Sequence, residues 1–104
     1  MKRTLLINQQ AAVESGMDVD FIDLVIFEYI KEERKNLQIG NKIYFTIAHH
    51  DIIENLPLLG INTKMGVIKR MKRLEDIGLL IRYPNLSREY LMAIYTFGPN
   101  AEKL

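Results

Sequence analysis

Five basic side chains fall close together at Lys64, Lys69, Arg70, Lys72 and Arg73. Cations at this density suit one kind of chemistry: each that settles beside a phosphate releases condensed counterions, so affinity for a polyanion is high at low salt and falls steeply as salt rises. Arg82 and Arg88 follow on either side of Pro84 and Asn85, and Asn62 and Thr63 precede the cluster, where their polar groups can meet a backbone or a base edge. On a helix that turns about 100° per residue, Val67, Ile68, Met71 and Leu74 share one face, while Met65, Lys69, Lys72, Arg73 and Asp76 lie opposite. That phase makes Lys69 and Arg73 the first candidates for a groove contact. Lys64, Arg70 and Lys72 are the candidates for phosphates.

Other chemistries find less support. His49 and His50 are neighbours on a predicted helix, so their rings diverge by about 100° and do not readily share one metal ion. Asp18, Asp20 and Asp23 lack the glycine and the distal glutamate of a calcium loop, and helix capping accounts for them better. No nucleophile stands with a base and an orienting group, and no glycine loop is built to cradle phosphate. The expectation is a protein without a metal, a cofactor or enzymatic activity. The bland reading of the basic residues themselves, a solvated helix face, remains open beside the functional one.

The elements that must position these residues follow from periodicity and stop signals. A short helix over residues 9–15 ends at Gly16. Asp18 or Asp20 starts a second helix over 21–30, apolar on more than one side and followed by the charged run 31–35. Residues 42–45 read as a strand, after which Thr46 is placed to cap a helix that stops before Pro57. Asn62 or Thr63 begins the basic helix over 64–77, and Gly78 terminates it. Residues 79–83 and 90–97 are rich in β-formers, and the turn chemistry of 84–88 predicts a hairpin between them.

With 104 residues, 48% hydrophobic and 26% charged, the chain has the size and balance of one globular domain. The expected division is an arm and short helix over 1–17, the main domain over 18–97 and a frayed tail or linker over 98–104. A net charge of +1 hides an acidic first third and a basic last third. No cysteine is present, which fits a cytoplasmic location. The longest apolar run is interrupted by Asp23 and Glu28, so no membrane span is expected.

At Arg73-Leu74-Glu75-Asp76-Ile77-Gly78-Leu79-Leu80-Ile81 the sequence resembles the winged-helix superfamily, whose recognition helix commonly ends in a leucine, a charged turn and a glycine before an aliphatic strand. Over most of its length the chain resembles the N-terminal winged-helix domain of phage and plasmid replication initiators and replisome organisers, a group related in architecture to DnaD-like primosomal proteins. That wider resemblance is carried by Leu5-Leu6-Ile7-Asn8, the apolar helix over 21–30, Ile43-Tyr44-Phe45-Thr46, Leu56-Pro57-Leu58 and the Gly78 junction. It implies a mostly α fold with a small β-hairpin, a winged helix-turn-helix of three core helices plus a wing. It also implies double-stranded DNA as partner, bound by Asn62, Thr63, Lys64, Lys69, Arg70, Lys72 and Arg73, with Arg82 and Arg88 on the wing. A dimeric transcriptional regulator and a protein-interaction module are the alternatives. Should the N-terminal arm fail to cover the helix over 21–30, Phe27, Tyr29 and the arm itself offer a homodimer surface.

Overall fold

The computed structural model describes Ile7 and residues 9–104. Most of the Leu5-Leu6-Ile7-Asn8 arm therefore lies outside the described residues; Ile7 itself packs against the core. Among the described residues the fold is α+β, with five helices and one four-stranded antiparallel sheet. In chain order the elements are α1 (Gln9–Ser15), α2 (Phe21–Glu33), β1 (Lys35–Ile39), β2 (Lys42–Thr46), α3 (His49–Asn55), α4 (Lys64–Ile77), β3 (Leu80–Arg82), α5 (Pro84–Tyr90) and β4 (Ile94–Phe97). Short 3-10 turns at Pro57–Leu59 and Ala101–Lys103 complete it.

Helix α2 is the centre of the core. Its start is fixed by a reciprocal cap: the Asp23 amide donates to the Asp20 carboxylate at 2.8 Å, and the Asp20 amide donates to the Asp23 carboxylate at 3.1 Å. Ile26, Phe27 and Ile30 are wholly buried and Tyr29 almost so, which explains why the helix is apolar all round. Because Phe27 and Tyr29 are covered within the monomer, the expected homodimer surface on this helix is not there to be used. Among the described apolar residues of α2, Phe21 is the exposed one.

The sheet runs β1-β2-β4-β3. Where a single strand was expected over 42–45, a hairpin stands instead: β1 pairs with β2 along its whole length, from Lys35 opposite Thr46 to Ile39 opposite Lys42. Gly40, with φ of 63°, supplies the left-handed residue that a two-residue hairpin turn needs. Strand β2 then pairs with β4 and β4 with β3. Phe45, Phe97 and Phe27 close the sheet onto α2, with ring centroids 4.7 Å apart for Phe45 and Phe97 and 5.9 Å for Phe27 and Phe97.

Three further expectations are corrected. Thr46 ends β2, and its hydroxyl donates to the Ala93 carbonyl at 2.8 Å rather than capping α3, whose N-cap position is held by Ala48. The strands β3 and β4 do pair, but the segment between them folds as α5 and not as a turn, because Pro84 occupies the first turn of a helix, where its missing N–H costs nothing. Residues 98–104 are not frayed. The Gly98 amide donates to the Leu79 carbonyl at 2.8 Å, the Asn100 amide to the Gly78 carbonyl at 2.9 Å, and Ala101 and Leu104 pack on the core.

Candidate nucleic-acid interface

Helix α4 starts and stops where its ends dictate. The Thr63 hydroxyl accepts from the Gly66 amide at 3.0 Å, and Gly78, with φ of 89°, lets the chain leave the last turn while its own amide bonds back to the helix. Between them Val67, Met71 and Leu74 are anchored in the core. Stepping about 100° per residue from that anchor leaves three other sides. One flank carries Arg70 and Arg73, the outer side carries Met65, Lys69, Lys72 and Asp76, and the opposite flank carries Lys64 and Ile68. Ile68, expected within the apolar face, is 39% exposed on that flank.

Arg70 and Arg73 are turned toward α2. Arg73 Nη2 lies 2.7 Å from Asp23 Oδ2 and its Nε donates to both carboxylate oxygens at 3.2 Å. Arg70 Nη1 bridges Asp20 at 2.7 Å and Asp23 at 3.4 Å. Asp23 is fully buried, and a buried carboxylate must be matched by charge and hydrogen bonds or it costs on the order of several kcal/mol. Burial works against the charge of Asp20, yet its bond from the Asp23 amide and the nearby Arg70 hold its carboxyl below the usual range. The hydrogen bond to Asp23 raises the Arg73 pKa in turn. The expectation that Arg73 stands free for a groove and Arg70 for phosphate is thereby corrected: both charges are already matched inside the molecule.

The outer side remains cationic. Lys69 is exposed and has no ion-pair partner among the described residues. Lys72 sits 3.6 Å from Asp76, but both side chains are about two-thirds exposed, at 68% and 66%, so the pair is weak and easily exchanged. Asp76 lies near the C-terminal end, which leaves the first turns of α4 the more positive. Asn62 is exposed just before the helix, whereas the Thr63 oxygen is committed to its cap.

Beside the Lys64 flank lies a half-open cleft of about 760 Å³, bounded by the β2–α3 junction, the start of α4, β3 and α5. Lys35, Lys64, Arg82 and Arg88 line it, with Glu33 and Asp51 as the acids on the same walls. Its apolar lining comes largely from Ile53, Ile68 and Met92. Arg88 projects from α5, where it donates to the Asn85 side chain, and not from the flank of a turn as expected. Arg82, on β3, is next to Tyr95, whose hydroxyl is pushed up to about 12 by burial and then by Glu75, with Arg82 opposing.

His49 also faces this cleft. Its Nε2 is buried and has no hydrogen-bond partner, and burial, then Lys64 and Arg82, hold its pKa below the ordinary imidazole value. Sequence reasoning passed over His49 and Lys35 as site residues. The histidine was visible only as a poor metal ligand, and the lysine was hidden in a charged run that read as the end of α2. Among the described residues no group of three His, Cys, Asp or Glu is placed to hold a metal ion, and no helix is long and apolar enough to cross a membrane. Set against family models, curated proteins and solved structures, the chain matches none, and its own geometry has to carry the functional argument.

Proposed function

We propose that the chain is a winged-helix domain that binds double-stranded DNA, presenting the N-terminal half of α4 to the groove, and that it serves replication initiation in a phage, plasmid or other mobile element. The observation that carries this reading is the exposed cationic side of α4, where Lys69 and Lys72 stand in solvent and Lys64 leads on to Arg82 and Arg88. Two helices joined by a turn and followed by paired strands support the winged form, with β1 and α5 as additions to it. Met65, 60% exposed at the first turn, is an apolar group of the kind that meets a thymine methyl. The replication role rests on the resemblance carried by the order of Leu5-Leu6-Ile7-Asn8, the apolar helix over 21–30, Ile43-Tyr44-Phe45-Thr46, Leu56-Pro57-Leu58 and the Gly78 junction.

Titrating the chain with duplex and single-stranded DNA over a range of salt tests the reading. Each phosphate contact contributes about 0.9 to the slope of log K against log salt, so Lys69→Ala together with Lys72→Ala lowers that slope by about 2. Arg73→Ala lowers the melting temperature and leaves the slope unchanged. Absence of duplex binding at low salt, or a slope indifferent to both lysines, sinks the proposal and leaves an interaction module as the better account.

A further inference from the structure

We propose that the cleft between α3, the start of α4, β3 and α5 is a binding site for a small organic oxyanion: a carboxylate or phosphate head on an apolar body. Its size, about 760 Å³, is that of a small-molecule pocket. Its chemistry is divided in the way such a ligand requires. Ile53, Ile68 and Met92 supply apolar surface, and Ile68 and Met92 stay partly exposed, at 39% and 42%, so the fold leaves them uncovered. Lys35, Lys64, Arg82 and Arg88 come from four different elements and outnumber the two acids, Glu33 and Asp51, on the same walls.

The head group is located by Lys64 and Arg82, on the walls that His49 also lines. The His49 Nε2 is buried and has no hydrogen-bond partner among the described residues, so it is not itself open to a ligand. Both cations act on the His49 imidazole and, after burial, lower its pKa, so an anion settling beside them is reported by that ring. An oxyanion placed there accepts from Lys64 and Arg82 together, while the apolar body lies along Ile68 and Met92. A phosphate of a nucleic-acid backbone satisfies the cations but leaves the apolar surface wet, and a neutral apolar molecule leaves the cations unmatched.

The full chain is followed by NMR while octanoate, octyl phosphate, octan-1-ol and inorganic phosphate are added in separate titrations. Either octyl anion is expected to shift the signals of Ala48, His49, Ile68 and Met92 saturably and to raise the His49 pKa, the tighter of the two identifying the head group. Octan-1-ol and inorganic phosphate bind at least about ten-fold more weakly. Lys64→Gln with Arg82→Gln, both on solvent-facing positions, weakens the octyl anions by about ten-fold and does not change octan-1-ol binding. Met92→Asp removes the binding of the octyl anions. Equal binding of octan-1-ol, shifts that do not saturate, or an unchanged affinity in the double variant overturns the proposal.

One consequence rests on the DNA reading: a bound anion uses Lys64 and Arg82 and so displaces duplex DNA. Saturable octanoate binding without displacement counts against DNA lying over the cleft and leaves the anion site standing.

Discussion

Arg73 reaches across from α4 to hold the buried carboxylate of Asp23 with its Nη2 at 2.7 Å and its Nε at 3.2 Å, joining residues that are fifty positions apart in the chain. Asp23 is at the same time half of the cap that starts α2. The tilt of α4 on the core therefore depends on one carboxylate that serves two elements, with Arg70 reinforcing it from the preceding turn.

Asp23→Ala removes the ion pairs and one of the two capping bonds, the one from the Asp20 amide, while the bond from the amide of residue 23 to Asp20 stays. The freed arginines, at 25% and 41% exposure, can turn to water, so the loss comes mainly from the charge-assisted hydrogen bonds and the capping. A decrease of about 3 kcal/mol in unfolding free energy is expected. Asp23→Asn, which keeps a side-chain acceptor at the cap, loses less. Urea denaturation of the two variants checks the ranking, and equal losses contradict it.

The start of α2 and both ends of α4 were legible in the sequence because a cap and a stop are local: Asp20, Thr63 and Gly78 act on their own or the next turn. Helix phase also placed Lys69 and Lys72 on the outer side. It went astray at Arg73, since periodicity tells which residues avoid the core but not which second helix lies alongside. The β1–β2 hairpin was missed because the charged run 31–35 continued a helical pattern, although Gly40 and Asn41 were in place for a turn. Helix α5 was missed because Pro84 and Asn85 serve a turn and a helix start equally well. The cleft was illegible, as it is assembled from residues of seven elements.

Gly98→Ala is expected to be more damaging than Gly78→Ala, although Gly78 has the left-handed backbone. A Cβ on Gly98 would lie 2.2 Å from the Gly78 carbonyl oxygen, a backbone atom that already accepts from the Asn100 amide and has nowhere to go. A Cβ on Gly78 would meet the Asn100 side chain at 2.7 Å, which can swing aside at the cost of its bond to the Ile77 carbonyl. Losses of about 3 kcal/mol or more for Gly98→Ala and about 2 kcal/mol for Gly78→Ala are expected by thermal or urea unfolding.

Stability should fall on mild acidification through His49. Its pKa is lowered in the fold from 6.5, so the unfolded chain takes up the proton first. Above that value neither state is protonated and the imidazole has no effect. As pH falls below it, stability is lost until the folded pKa is reached. Asp20 acts lower down: its carboxyl is held below 3.8, so the stability it adds is present above that value and is lost as pH falls through the folded pKa. His49→Gln flattens the upper part of the profile and leaves the lower part unchanged. Urea midpoints measured at intervals of pH check both, and an upper limb that persists in His49→Gln refutes the assignment.

Leu91→Gly should stabilise the protein. Leu91 is the C-cap of α5, with φ of 56° and ψ of 36°, the left-handed region that a side chain with a Cβ enters only at a cost. At 91% exposure its side chain has almost no packing to lose. Glycine relieves the strain at about 1 kcal/mol, and its greater freedom in the unfolded chain takes back part of that, so a net gain of about 0.5 kcal/mol is expected. Leu91→Asn, which tolerates the same backbone with less entropy to lose, tests the cause: stabilisation by both variants assigns it to backbone strain. A loss in both would mean that the exposed leucine makes contacts of its own at the end of α5.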